Sequence, residues 1–235
     1  DGKIVYFSEK MIEKALESTP SKFNWHARNK DRSLNIGNSE QVAIQPNIGP
    51  TNIKDSDIGL RIGTLKDFIN TQKICQASSV INLTGGSPVD PSDIDPAKRH
   101  LKMIYETIKN TDKPIVSYTV RDFQANEILD MIEIAMGQKD FLKQNHCIGA
   151  SIDPLSPLSW APDSLGMILA YCKRNLIVFL PPAAMAGVTA PISLIGTTVL
   201  QNSEILSGIV LTQLVNPGNP VVYSVSSAPG YLKTA

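Results

Sequence analysis

Apolar residues follow two regimes along this chain. Up to about Gly63 they come in short runs, Ile4-Val5-Tyr6-Phe7, Lys22-Phe23-Asn24-Trp25-His26-Ala27 and Val42-Ala43-Ile44-Gln45, separated by Pro, Asn, Asp and Gly. Punctuation of this kind predicts a β-rich opening section over 1–63. Within it, Met11, Ile12, Ala15 and Leu16 make one narrow helical face that stops at Ser18-Thr19-Pro20. Ile53 to Ile62, with Asp55-Ser56-Asp57 between apolar flanks, predicts a hairpin.

From Thr64 to Ala235 helix and strand patterns alternate, beginning at Thr64-Leu65-Lys66-Asp67, a capping box in which Asp replaces Glu. Leu101, Ile104, Tyr105 and Ile108 recur at helical spacing, as do Ala125, Ile128, Leu129, Ile132, Ala135 and Met136, and Leu165, Ile168, Leu169 and Cys172. Between these helices lie apolar runs at Val80–Leu83, Ile115–Tyr118, Cys147–Ala150, Leu176–Leu180 and Pro220–Tyr223, which read as buried parallel strands. The runs begin about 30 to 44 residues apart, the length of a βαβ crossover. With Val42–Gln45 as a possible first strand they supply six of the eight strands of a TIM-type (β/α)8 barrel, so 64–235 reads as an α/β barrel incomplete at its C-terminus. An open doubly wound sheet fits less well, because no phosphate-binding glycine fingerprint follows a first strand.

Composition narrows the function. Lys+Arg and Asp+Glu both number 22, which argues against a nucleic-acid or membrane-surface protein. The most apolar stretch, Leu176 to Leu200, is broken by Pro181, Pro182 and Pro191 and followed by Gln201, Asn202 and Glu204, so it reads as core rather than a membrane span. Three separated cysteines, Cys75, Cys147 and Cys172, suit a reducing, cytoplasmic compartment, and Asp1-Gly2-Lys3 does not open a signal peptide. No His/Cys/Asp cluster has metal-ligand spacing, and nucleophile elbows, Walker loops and HExxH are missing.

In a parallel barrel the site is built just past the strands. Gly85-Gly86 there reads as a tight turn, and His100, beside Lys98 and Arg99, as a helix-face residue. What remains is an aromatic set, Tyr118, Trp160 and Tyr223, with one acid, Asp153. Aromatic faces and a carboxylate suit an alkylated ammonium, which cannot donate hydrogen bonds. Gly187 and Thr189 precede a long helix running to about Val215; Pro191 suits its first turn, and free N–H groups there could hold a carboxylate. Glu204 within that helix reads as a buried partner rather than a catalyst.

Several segments carry a family resemblance: Pro181-Pro182-Ala183-Ala184-Met185-Ala186-Gly187-Val188-Thr189-Ala190-Pro191, Leu200 through Leu211, and Gln213 through Tyr223. Arg99-His100-Leu101, Asn110-Thr111-Asp112-Lys113-Pro114, Pro154-Leu155-Ser156-Pro157-Leu158 and the opening from Ile4 to Arg28 continue it in order. Together they resemble the trimethylamine methyltransferase family, as the middle part of a longer member. Asp153 stands where the family pattern leads to Asn, and Thr51–Lys54 and Val225–Leu232 match weakly.

The resemblance implies an α/β barrel that moves a methyl group from trimethylamine to the cobalt of a separate corrinoid protein, in one-carbon metabolism such as methanogenesis. It implies no directly bound cofactor or metal; the corrinoid (cobalamin) belongs to the partner. The alternative within the family is a member without pyrrolysine that demethylates a quaternary amine such as glycine betaine, and the alternative outside it is a non-catalytic methylated-amine binding barrel. The family's pyrrolysine position falls beyond Ala235, leaving the catalytic residue unassigned. Substrate contacts expected on this reading are Tyr118, Asp153, Trp160, Gly187, Thr189 and Tyr223. A homo-oligomer is compatible with it.

Overall fold

The computed structural model describes residues 4–38, 40, 42–118, 121–137 and 141–230. In chain order the elements begin with α1 (Glu9–Ser18), β1 (Phe23–Trp25), β2 (Leu34–Ile36), β3 (Asn52–Asp55), β4 (Gly59–Ile62) and α2 (Leu65–Ala77). Then come β5 (Thr84–Gly85), α3 (Arg99–Asn110), β6 (Ile115–Ser117), α4 (Asp122–Met136), α5 (Phe141–Gln144) and β7 (Ile148–Ser151). The rest is α6 (Pro162–Lys173), β8 (Ile177–Leu180), β9 (Met185–Ala186), α7 (Leu194–Val215), β10 (Val221–Tyr223) and β11 (Ala228–Pro229). Helices alternate with parallel strands, which makes the fold α/β. Two compact units divide it: Lys22–Ala150, and Asp1–Ser21 with Ser151–Ala235.

In the Lys22–Ala150 unit, β5, β6 and β7 run parallel in that order, with Thr84 opposite Ile115 and Ile115 opposite Ile148. The expected strand at Val80–Leu83 lies one step later, at Thr84–Gly85. Gly85 explains the shift: its φ is +85°, and a Cβ there would run into the Val116 carbonyl, so only glycine lets the chain come this close to β6. Fully buried Gln72 on α2 bonds both sides of the same residue, its Oε1 accepting from Gly85 N (3.2 Å) and its Nε2 donating to Gly85 O (3.3 Å). The expected strand at Val42–Gln45 does not form. Asn82 and Leu83 donate to Ile44 O, and the Asn82 side chain accepts from Ile44 N, so this segment is pinned at one residue rather than laddered. The expected hairpin is present as β3–β4.

Helix α2 starts as the sequence predicts: Asp67 accepts from Thr64 N (2.9 Å), and Thr64 Oγ1 accepts from Asp67 N (3.4 Å). Arg61 of β4 reaches across to Asp67 with two bonds (2.6 and 2.8 Å) and to Asp55, tying hairpin to helix and holding the Asp67 carboxyl well below the usual range. In α3 the buried residues are His100, Met103, Ile104, Glu106 and Thr107, rotated from the expected Leu101/Ile104/Tyr105/Ile108 stripe. Rotation is possible because Thr107 returns its hydroxyl to Met103 O and His100 finds a carboxylate, while Tyr105 stays outside between Lys102 and Lys109. In α4 the buried Ala125, Ile128, Leu129 and Ile132 follow the expected stripe.

In the other unit, β8 and β10 pair parallel, Val221 opposite Val178, and Ile152 N donates to Phe179 O. Ile4–Phe7, expected as a strand, is neither helix nor strand, with Val5 and Tyr6 exposed. Helix α1 follows as expected, capped by Ser8, and packs on α7. Among the described residues α7 is the one helix long and apolar enough to cross a membrane by length and composition. It also carries Glu204, 1% exposed, and Gln213, both hydrogen-bonded inside the unit as a core helix requires. Pro191 precedes α7 instead of lying in its first turn: Ser193 is the N-cap, its hydroxyl accepting from Gly196 N.

Candidate functional site

The chain leaves β5 through a loop of about a dozen residues before α3, and leaves β6 directly at Tyr118 before α4. A cavity of about 370 Å³ opens there, outside the carboxyl ends of two adjacent parallel strands and between the starts of two helices. Both helices enter it without a side-chain cap, at Lys98 for α3 and Arg121 for α4. The α4 start is matched by Asp122, a first-turn carboxylate whose Oδ1 accepts from Phe123 N (2.7 Å), whereas α3 has no acidic residue in its first turn.

Asp90 and Arg99 bridge at 3.3 Å on the wall of this cavity, and Arg99 also donates to Ile94 O. Asp90 Oδ1 and Arg99 Nε are buried with no partner among the described residues. Tyr118, 36% exposed, has its hydroxyl pKa pushed up by burial and by Asp90, with Arg99 pulling the other way. His100, 4% exposed, places Nε2 at 2.5 Å from Glu127 Oε2 and meets the Phe123 ring edge-on at 6.1 Å. Among the described residues its Nδ1 has no partner, nor has Ser117 Oγ; both residues line a second cavity of about 10 Å³, the space of one water. His100 is thus a buried, half-satisfied group, not the solvated helix-face residue that its charged neighbours predict.

The other expected contacts lie in the second unit and act mostly on its frame. Trp160 donates Nε1–H to Ser207 Oγ (2.9 Å), and its ring lies over Gly208 of α7. Thr189 Oγ1 accepts from Met185 N (2.9 Å), closing a turn in which Gly187 has φ +82°. The N–H groups of Gly187, Val188, Thr189 and Ala190 all donate to main-chain carbonyls, so the free donors expected there for a carboxylate are already engaged. Tyr223, 53% exposed, donates its hydroxyl to Asn202. Asp153, past β7, accepts from Ser151 Oγ (3.0 Å); its surface is open, yet the protein around it removes enough water to push its carboxyl pKa up. Glu204 is a buried partner as expected, accepting from Ser156 Oγ and Leu158 N, both at 2.8 Å.

A larger cavity, about 540 Å³, lies on the side from which β5 and β6 start. Of its two cations, Arg32 pairs with Asp112 and donates to Gln76 O, and Lys113 gives its three donors to Cys75 O, Ser78 O and Ile81 O at 2.6–2.7 Å, closing the end of α2. That is a structural use, on the face where parallel α/β folds keep stability rather than chemistry. Among the described residues no three His, Cys, Asp or Glu side chains group as a metal site. Asp90, Arg99 and Phe123 were not legible as cavity residues from spacing; the long β5–α3 loop was the available signal.

The chain matches the family described as trimethylamine methyltransferase (MTTB) over residues 1–232. It is 37% identical over 228 residues to a glycine betaine methyltransferase of Desulfitobacterium hafniense strain Y51, covering 97% of this chain and 47% of that protein. It is 28% identical over 242 residues to a proline betaine:corrinoid methyltransferase of Eubacterium limosum, covering 97% and 48%. It is 27% identical over 225 residues to a trimethylamine methyltransferase of Desulfitobacterium hafniense strain DCB-2, covering 96% and 45%. The chain therefore spans about half the length of these relatives, and with the family matched over nearly all its residues, it belongs to the trimethylamine methyltransferase family.

Proposed function

We propose that this chain is part of a methyltransferase that takes a methyl group from a carboxylate-bearing quaternary amine of the glycine betaine type and passes it to the cobalt of a separate corrinoid protein. The observation that carries the reading is the 37% identity to a glycine betaine methyltransferase, against 27% to a trimethylamine methyltransferase over a similar span. Trimethylamine, the substrate the family resemblance first suggests, is the second reading. The strands described here belong, on this proposal, to a (β/α)8 barrel completed by the rest of a longer protein.

The chemistry asks little of side chains as reactants. The methyl carbon–nitrogen bond breaks with its electron pair staying on nitrogen, which leaves as a neutral tertiary amine, while the methyl carbon takes an electron pair from reduced cobalt. A quaternary nitrogen already carries the charge that makes it a leaving group. The protein's work is then to hold the amine in line and keep water away. Tyr118, beside Asp90 and facing the cavity past β6, is suited to that holding role.

The test uses the full-length protein with its reduced corrinoid partner, following cobalt methylation by absorbance for each amine separately. Methylation with glycine betaine and none with trimethylamine is the expected result. Methylation with trimethylamine alone would overturn it, and binding of betaine without methylation would favour the non-catalytic binding barrel.

A further inference from the structure

Resting on that reading, we propose that the cavity between the starts of α3 and α4 is the substrate's zwitterion site. The carboxylate sits against Arg121 and the uncapped start of α3, and the trimethylammonium sits against Tyr118 and Phe123 with Asp90 behind them.

Four features converge on a ligand carrying both charges. First, the α3 start presents the positive end of a helix dipole with no side-chain cap and no acidic residue in its first turn, which selects an anion, whereas Asp122 already fills that role at the α4 start. Arg121, exposed at the α4 start, adds a cation there. Second, the same cavity presents two aromatic rings, Tyr118 and Phe123, both partly exposed, with a carboxylate at hand; those are the partners of a cation that has no N–H to donate. Third, Asp90 Oδ1, Arg99 Nε and His100 Nδ1 are buried around it without partners among the described residues, and such groups in a folded protein call for a reason. A nearby ligand bearing both signs of charge compensates them through a low-dielectric wall. Fourth, the volume of about 370 Å³ suits a small molecule rather than a peptide.

Neither charge alone accounts for the lining. A bare alkylammonium would leave Arg121 and the α3 start unmatched, and a bare carboxylate would be placed against Asp90 and aromatic faces. The site therefore distinguishes a betaine from trimethylamine by its carboxylate, worth one charge-assisted contact set.

The experiment is calorimetric titration of full-length protein, wild type, Arg121→Gln and Tyr118→Leu, with glycine betaine and with choline, which keeps the quaternary head and lacks the carboxylate. Both substituted positions are exposed enough for the protein to fold. Arg121→Gln is expected to raise the Kd for glycine betaine at least tenfold and leave the weaker choline binding unchanged. Tyr118→Leu is expected to weaken both ligands. Unchanged glycine betaine affinity in both variants would overturn the site while leaving the proposed function standing, since methyl transfer is read separately. Absence of glycine betaine binding to the wild type would overturn the site as well, and the cobalt assay then decides whether the functional reading falls with it.

Discussion

The helix α7 and the cavity at the starts of α3 and α4 treat buried polar groups in opposite ways. Along α7, Glu204 meets Ser156 and Leu158, Ser207 meets Trp160, and Gln213 meets Ser18, Gly218 and Asn219. At the cavity, Asp90 Oδ1, Arg99 Nε and His100 Nδ1 have none among the described residues. A closed network fixes which loops lie where; an open one holds unspent interaction energy, roughly 1–3 kcal/mol for each unsatisfied buried group. The first region is framework on this account, and the second is where a ligand is received.

The comparison breaks most visibly at Glu204. Replacing it by Leu strands the Leu158 N–H and the Ser156 hydroxyl, and a loss of about 3 kcal/mol in urea unfolding is expected, with Glu204→Gln recovering much of it. Loss below about 1 kcal/mol would show the network to be slack. Next comes Gln72→Leu, which removes both bonds to the buried Gly85 peptide; about 2 kcal/mol is expected by the same measurement. Gln72 lies in the same unit as the cavity, so this result separates satisfaction from location.

Asp67 gives a smaller effect with a pH signature. Arg61 and the Thr64 cap hold its folded pKa below the unfolded value, so its contribution is complete above the unfolded pKa of about 4 and is lost as pH falls through the folded one. Asp67→Asn is therefore expected to cost about 1 kcal/mol at pH 7. Its deficit relative to wild type should shrink steadily on acidification below about pH 4. A deficit independent of pH would assign the effect to packing. Smallest is Ser117→Ala, in the cavity of about 10 Å³ that shares His100 with the larger one: because its hydroxyl has no partner among the described residues, stability is expected to stay within about 0.5 kcal/mol of wild type or to rise. A clear loss would mean that a protein or water partner satisfies it.

The sequence carried the framework better than the site, for a physical reason. Helices α2, α4 and α7 announce themselves through Thr64-x-x-Asp67, the Ala125-to-Ile132 stripe and an apolar run ending at Val215, since capping and burial act between residues three or four apart. Trp160, Thr189 and Tyr223 were singled out by type and by position past a strand. That logic does not tell a ring bonded to Ser207 or a hydroxyl closing its own turn from one that faces a ligand. Tyr118 was found by the same logic and does line a cavity, but its neighbours Asp90 and Arg99 come from a loop whose path no periodicity records. The rotated face of α3 has the same origin: burying His100 depends on Glu127, a partner 27 residues away.

The central claim, that the open polar region rather than the closed one receives the substrate, is tested most directly by hydrogen exchange of the full-length protein with and without glycine betaine. Slower exchange on ligand addition is expected in peptides covering the starts of α3 and α4, around 99–103 and 121–125, with α7 unchanged. Protection confined to the Asp153–Trp160 and Met185–Pro191 segments, with the α3 and α4 starts unaffected, would contradict it.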